Sequence, residues 1–290
     1  MNVIKKVKNH YLPEYYRLMR FDKPIGILLL LWPTLWGLWL AAKGIPPLTI
    51  LLVFVFGVIV MRAAGCVIND IADRHFDRQV TRTQNRPLAT GALPLSHSII
   101  LFITLCVLAL CLVIFLNWLT LLLAIPGVVI ASVYPFMKRY THWPQAFLGI
   151  AFSWGIPMAF SAIQNKITPL AWWLLATNFL WVIAYDTMYA MVDRSDDIKA
   201  GIKSTAVLFG KYDRFIIFCL QVMVLISLLI IAVWNHFNAL FFIAWLVAIA
   251  LALYQQILIR NQQPEKCFSA FLNNHWFGLA IFIGIALGLI

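Results

Sequence analysis

Nine apolar runs, each about 17 to 25 residues long, follow one another along the chain, at roughly 25–42, 48–68, 95–116, 118–137, 144–163, 169–191, 214–234, 238–259 and 274–290. Each is long enough to cross a hydrocarbon core of about 30 Å, and a backbone in lipid must satisfy its own hydrogen bonds, so the pattern dictates helices. The expected fold class is all-α: a polytopic membrane protein built as a bundle of nine transmembrane helices. The 290 residues read as a single membrane-embedded domain, 1–290. Only 11% of the residues are charged, against roughly 25% in soluble domains, which excludes a soluble globular fold. The 63% hydrophobic content excludes disorder.

The charge balance is basic, with 22 Lys and Arg against 11 Asp and Glu. A nucleic-acid footprint would put these cations in a stripe on a water-facing surface, whereas here they sit at span ends. Lys5, Lys6, Lys8, Arg17, Arg20 and Lys23 precede the first span, and Arg74, Arg78, Arg82 and Arg86 follow the second. Lys138 and Arg139, then Arg194, Lys199, Lys203, Lys211 and Arg214, then Arg260 and Lys266 fall in every other loop after that. That places 19 of the 22 on one side, with only Lys43 and Lys166 opposite. The positive-inside rule therefore puts the N-terminus in the cytoplasm and the C-terminus outside. The basic N-terminus precedes a run long enough to span and without a small-residue cleavage pattern, so it is expected to be retained rather than cut as a signal peptide. Cys66, Cys106, Cys111, Cys219 and Cys267 have no C-x-x-C spacing and read as small apolar residues. Pro33, Pro126, Pro135 and Pro157 fall inside spans, where each removes a backbone donor and favours a kink. Gly284 and Gly288 invite close approach of a neighbouring helix, within the bundle rather than between copies.

The acids are more informative than the bases. All 11 lie on the basic side, and seven fall in two short stretches, within loops at about 69–94 and 186–213. In N-D-I-A-D-R-H-F-D-R, Asn69, Asp73 and Asp77 are four residues apart, so a continuing helix puts them on one face within about 80°. Arg62, seven residues before Asn69, extends that polar face into the membrane, where a cation needs a partner or a ligand. In Y-D-T-M-Y-A-M-V-D-R-S-D-D, Asp186, Asp193 and Asp197 share a face within about 40°, and Asp196 points elsewhere. Two such faces, four spans apart, suggest an internal repeat.

Carboxylate and amide oxygens are hard ligands, which favours Mg²⁺ over a transition metal, and Mg²⁺ characteristically shares its shell with phosphate oxygens. The paired clusters thus point to a bound diphosphate. Arg82, Arg86, Lys138, Arg139, Arg194, Lys199 and Lys203 are candidates to neutralise it. The chain lacks G-x-x-x-x-G-K-[ST], which argues against nucleotide hydrolysis. A solvated helix extension with ion pairs such as Asp70–Arg74 is the competing reading of one stretch. Two in-phase stretches and an intramembrane Arg outweigh it. A transporter of an anionic amphiphile would also use a buried Arg, but its acids are expected near the midplane rather than at one rim.

These motifs resemble those of the UbiA-type intramembrane prenyltransferases, whose paired signature is matched by Asn69-Asp70-x-x-Asp73-x-x-x-Asp77 and Asp193-x-x-x-Asp197. The strings R-F-D-K-P-I-G-I-L-L-L-L-W-P-T-L-W (20–36), M-R-A-A-G-C-V-I-N-D (61–70), N-R-P-L-A-T-G (85–91), Y-P-F-M-K-R-Y-T-H-W-P-Q (134–145) and G-I-K-S-T-A-V-L-F-G (201–210) resemble the 4-hydroxybenzoate polyprenyltransferase branch. The resemblance implies a central cavity under a cytoplasmic cap, in a bacterial inner membrane. It implies transfer of a polyprenyl group from polyprenyl diphosphate to the ring carbon ortho to the hydroxyl of 4-hydroxybenzoate, in ubiquinone biosynthesis. Another aromatic or quinone precursor is the alternative acceptor. Asp73, Asp77, Asp193 and Asp197, with Asn69, would be the Mg²⁺ and diphosphate residues. Arg62 would face the benzoate carboxylate, Asn69 the phenol, and Arg139 the diphosphate or the substrate path. Asp186, deeper on the metal-site face, is the candidate base, and Trp32, Trp36, Tyr185 and Tyr189 are candidates to stabilise an allylic cation. Prenyl chain length and oligomeric state are not encoded in these motifs.

Overall fold

A computed structural model describes residues 11–290; Lys5, Lys6 and Lys8 of the basic N-terminus lie outside them. The described residues form helices and connecting turns, without a strand. Residues 11–18 form a short helix, α1. It is followed by α2 (Ile25–Ala42), α3 (Leu48–Asp73), α4 (Pro87–Thr90), α5 (Leu95–Val113) and α6 (Trp118–Val133). Then come α7 (Pro144–Ser153), α8 (Gly155–Gln164), α9 (Pro169–Ala200), α10 (Thr205–Phe209), α11 (Asp213–Trp234), α12 (Ala239–Leu258) and α13 (Pro264–Gly288).

Among the described residues, eight helical segments are long and apolar enough to cross a membrane, and the chain is an integral membrane protein. The sixth expected span, 169–191, is the one outside these eight; it forms the first part of α9. At 32 residues, about 48 Å, α9 outreaches the hydrocarbon, but Asn178 and Asp186 dilute its hydropathy below that of the other eight. The expected span 144–163 is broken into α7 and α8 at Trp154, because Pro157 has no N–H to offer the Ser153 carbonyl. Pro33 and Pro126 stay within α2 and α6, whereas Pro135 opens a 3₁₀ turn, Tyr134–Arg139, that ends the sixth helix. The last helix begins at Pro264, ten residues before the expected 274. Pro at its first position and Glu265 in its first turn suit a helix start.

The long helix α9 is central, packed against α2, α7, α8, α11 and α13, while α2 also meets α8 and α13, and α12 lies along α13. The core of this half is aromatic. Trp36 and Trp181 stack at 5.2 Å, and Trp181 also meets Tyr185 at 5.2 Å and Phe277 at 5.4 Å. Their polar edges are satisfied: Trp36 Nε1 donates to the Gly278 carbonyl and Trp181 Nε1 to Asn274 Oδ1. The other half is looser. There α3 packs on α5, and a cavity of about 820 Å³ opens among α2, α3, α5, α6, α7 and α8. Because the chain turns back at each loop, the C-terminal ends of α3 and α9 lie at the same end of the bundle.

Candidate active site

The first acidic stretch differs from the sequence expectation in one respect. The helix α3 stops at Asp73, and Asp77 does not continue it; it opens a separate 3₁₀ turn, Asp77–Gln79, after a turn through 74–76 whose Arg74 and Phe76 keep right-handed helical angles. The Phe76 ring lies against Lys138 and Arg139. The carboxylates still converge, because cations gather them. Lys138 Nζ lies 2.6 Å from Asp73 Oδ2, and Arg86 Nη1 bonds both Asp77 oxygens at 3.0 and 3.2 Å. Asp70, Asp73 and Asp77 are all buried, and Arg74 turns back to the Ile71 carbonyl, so this is no solvated extension with an Asp70–Arg74 pair.

The second stretch keeps its predicted phase because α9 is unbroken through Ala200. Asp193 is gripped by Arg82 through Nε at 3.0 Å to both oxygens. Arg82 also lies over the Tyr189 ring at 4.5 Å and bonds its hydroxyl, so a cation from the first loop joins the two acidic stretches. Asp196, off the shared face, accepts from the Thr81 amide at 3.2 Å and ties the same two loops. Asp197 is buried against Ser204, in a turn made possible by Gly201 at φ 67°. Lys203 docks that turn onto the 3₁₀ segment, its amide donating to the Lys138 carbonyl and its Nζ to the Tyr140 carbonyl. Arg139 bonds the Ala72 carbonyl and lies between Phe76 and Phe136. Two of the candidates stay apart: Lys199 is exposed without an ion pair among the described residues, and Arg194 pairs with Asp213.

Deeper in the bundle, Arg62 points from α3 beside Gly26 of α2, which has no side chain to exclude its guanidinium. Among the described residues Arg62 has no carboxylate in salt-bridge contact, its Nε is buried without a partner, and Phe152 lies under it at 5.5 Å. Asp186, Tyr134 and Tyr185 surround it at electrostatic range, the Tyr185 hydroxyl also unpartnered. Arg62 and Tyr134 form one end of the 820 Å³ cavity, whose remaining walls are almost wholly apolar. Asn69 is half-buried on the Arg62–Asp73 face. Of the aromatic candidates, Trp36 is fully buried in the packed core, whereas Tyr189 belongs to the Arg82 grip.

Electrostatically the rim is built against its own backbone. Carboxylates at the C-terminal ends of α3 and α9 face the negative end of each helix dipole and need cations. Burial pushes the Asp77 carboxyl above its ordinary value, with Arg86 opposing. Burial and the neighbouring Asp193 charge push Asp197 up to about 6. Among the described residues no three acidic, His or Cys side chains already converge as a metal cage. Instead Asp73 keeps one buried oxygen with no partner, and every acidic donor nearby is a hard oxygen, a set that fits a divalent cation shared with phosphate. Sequence reasoning missed Asp70, which is 1% exposed and bonded to Arg20 and Arg86. Lying about 100° round the helix from Asn69 and about 60° from Asp73, it carried only its place in the N-D-x-x-D string as a signal.

A membrane bundle with two acidic helix ends joined through Arg82 and neutralised by Arg86 and Lys138, beside an apolar cavity, has the form of a prenyltransferase site. The UbiA prenyltransferase family matches residues 30–280, and the chain belongs to it. The chain is 54% identical over 276 residues to the 4-hydroxybenzoate octaprenyltransferase of Coxiella burnetii, covering 95% of this chain and 96% of that one. It is 54% identical to the Methylococcus capsulatus enzyme of the same name over 285 residues, 98% and 97% of the two chains. The Escherichia fergusonii enzyme of that name is 55% identical over 273 residues, 94% of each chain. The fold matches that of a UbiA homologue from Aeropyrum pernix, with a TM-score of 0.80 at 22% identity over 91% of this chain and 98% of that one. It also matches an Archaeoglobus fulgidus homologue bound to GPP and Mg²⁺, with a TM-score of 0.74 at 20% identity over 96% and 100%.

Proposed function

We propose that this chain transfers a polyprenyl group from polyprenyl diphosphate to the ring carbon ortho to the hydroxyl of 4-hydroxybenzoate, releasing diphosphate, as a step of ubiquinone biosynthesis. The observation that carries this is the joining of the two acidic stretches through Arg82, with Arg86 and Lys138 on the carboxylates of the first, beside an Arg62 whose buried Nε has no partner among the described residues. The names of relatives at 54–55% identity support the acceptor.

Mg²⁺, held by Asp73, Asp77, Asp193 and Asp197 with Asn69, would supply positive charge to the diphosphate. Arg82, Arg86 and Lys138 stand ready to take up the charge that builds on that group as the C1–O bond breaks, with Arg139 and Lys203 shaping the wall behind them. The apolar cavity keeps water from the allylic cation and takes the prenyl chain. Arg62 orients the acceptor through its carboxylate, and the buried, unpartnered Tyr185 hydroxyl lies within electrostatic range of Arg62. The ring carbon bonds to C1, and its proton leaves to Asp186. Asp186→Asn is expected to lower the single-turnover rate by about 10²-fold or more with both substrates bound, and a near-normal rate would remove Asp186 from this role.

The test of the reading is mixing the purified protein with Mg²⁺, geranyl diphosphate and a panel of aromatic acceptors. Coupled release of diphosphate and C-prenylated 4-hydroxybenzoate is expected. Preference for another acceptor would reassign the substrate, and absence of diphosphate release would overturn the transferase reading.

A further inference from the structure

The short helix α1 closes, like several other helices of this chain, on a residue in the left-handed conformation. The residue after a helix often adopts a left-handed conformation, and glycine is favoured there because other residues are strained. Here that residue is Arg20, at φ 60°, with the Phe21 amide closing back on the Tyr16 carbonyl. The Arg20 side chain reaches the first acidic stretch. Arg20 Nη2 bonds both oxygens of Asp70 at 2.8 and 2.9 Å, while Nη1 bonds the Arg17 carbonyl at 2.8 Å.

Asp70 is shared. Arg86 Nη1 lies 3.1 Å from the same carboxylate and 3.0 Å from Asp77, so Arg20, Asp70, Arg86 and Asp77 form one partly buried chain of alternating charge. Without Arg20, Asp70 would have only Arg86 to neutralise it, and Arg86 would be drawn away from Asp77. The helix α1 is anchored independently of this contact. Leu18 is fully buried against Ala63, Ala64 and Val67, the Tyr15 hydroxyl bonds His97 at 2.8 Å, and Arg17 Nη2 bonds the Asn85 carbonyl at 2.8 Å.

We propose that Arg20 is a positioning residue for the diphosphate site: by neutralising Asp70 it leaves the Arg86 guanidinium to Asp77 and the donor. The proposal rests on the transferase reading above. The informative variant is Arg20→Gly, because glycine relieves the left-handed turn while removing the guanidinium, so loss of a purely structural cap predicts no harm. The KM for geranyl diphosphate should rise about ten- to a hundredfold, with the acceptor KM and unfolding temperature kept. In Arg20→Gly/Asp70→Asn nothing remains to capture Arg86, and most of the donor KM should return. A donor KM within about twofold of the parent in Arg20→Gly, or a double variant no better than Arg20→Gly alone, would overturn the proposal. Calorimetric binding of Mg²⁺ and geranyl diphosphate without acceptor makes the same comparison. A parent protein that binds donor but forms no product would strike at the transfer reading alone.

Discussion

At the scale of single residues, the site depends on side chains that are absent as much as on those present. A Cβ at Gly26 would overlap the end of the Arg62 side chain, which is flexible and can move. Gly26→Ala is therefore expected to fold normally and to push the guanidinium out of place. The KM for 4-hydroxybenzoate should rise about tenfold or more while the KM for the donor holds, as a displacement near 1 Å at a positioning group readily costs that much. Initial rates with each substrate varied in turn would check this, and an unchanged acceptor KM would remove Gly26 from the account. Arg62 was legible in the sequence because a lone cation in an apolar run is too costly to keep unless it meets a partner or a ligand. Gly26 was not, since its role exists only once α2 lies against α3. Asp70 was overlooked for a related reason: helical phase sorts residues by face, and the two arginines that make Asp70 matter come from outside its helix.

At the scale of elements, periodicity predicted what a helix does while it continues and failed where it stops. Asp186, Asp193 and Asp197 share a face because α9 is unbroken, whereas Asp77 reaches the site through a turn that no 100° step anticipates. The small residues of the last helix were read correctly as sites of close packing within the bundle. A Cβ at Gly284 would meet Ala244 Cβ at 2.9 Å, and one at Gly288 would meet Phe241 Cβ at 3.0 Å, both on α12. Gly278 does the same on a different face, unnoticed in the sequence, with Trp32 Cδ1 at 2.6 Å and Trp181 Cη2 at 2.8 Å from the position of a Cβ. These rings are rigid, so α13 would have to move away from α2 and α9 and strain the Trp36 bond to the Gly278 carbonyl. Gly278→Val should cost about 1–3 kcal/mol, read as a lower unfolding temperature in detergent, and an unchanged temperature would show that the helix can shift freely.

At the scale of the whole molecule, the charge bias carries an expectation about orientation. In a background without the five native cysteines, Lys199→Cys should react with a membrane-impermeant reagent from the cytoplasmic side, and the exposed Lys166→Cys from the opposite side. The reverse pattern would invert the bundle. The same scale shows an asymmetry that hydropathy could not, because it measures each run and not how runs pack: the half around α9 is filled by aromatic rings, and the half around α3 is left open. The cavity runs from Arg62 towards α5 and α6, whose Val107, Leu110, Leu122 and Ile125 both line it and are exposed on the lipid-facing surface. A prenyl chain entering past Arg62 thus has an apolar path that leads to the bilayer. Gly57 lies on that path, and a Cβ there would meet nothing within 4 Å, so a large side chain would enter open space without strain. Gly57→Phe is expected to fold and to retain dimethylallyl diphosphate, whose short chain ends near the diphosphate, while raising the KM for longer donors by an amount that grows with chain length up to the obstruction. Donor KM values across a series from dimethylallyl to farnesyl diphosphate would measure this. An equal change for every donor, or none, would place the chain on another route through the bundle.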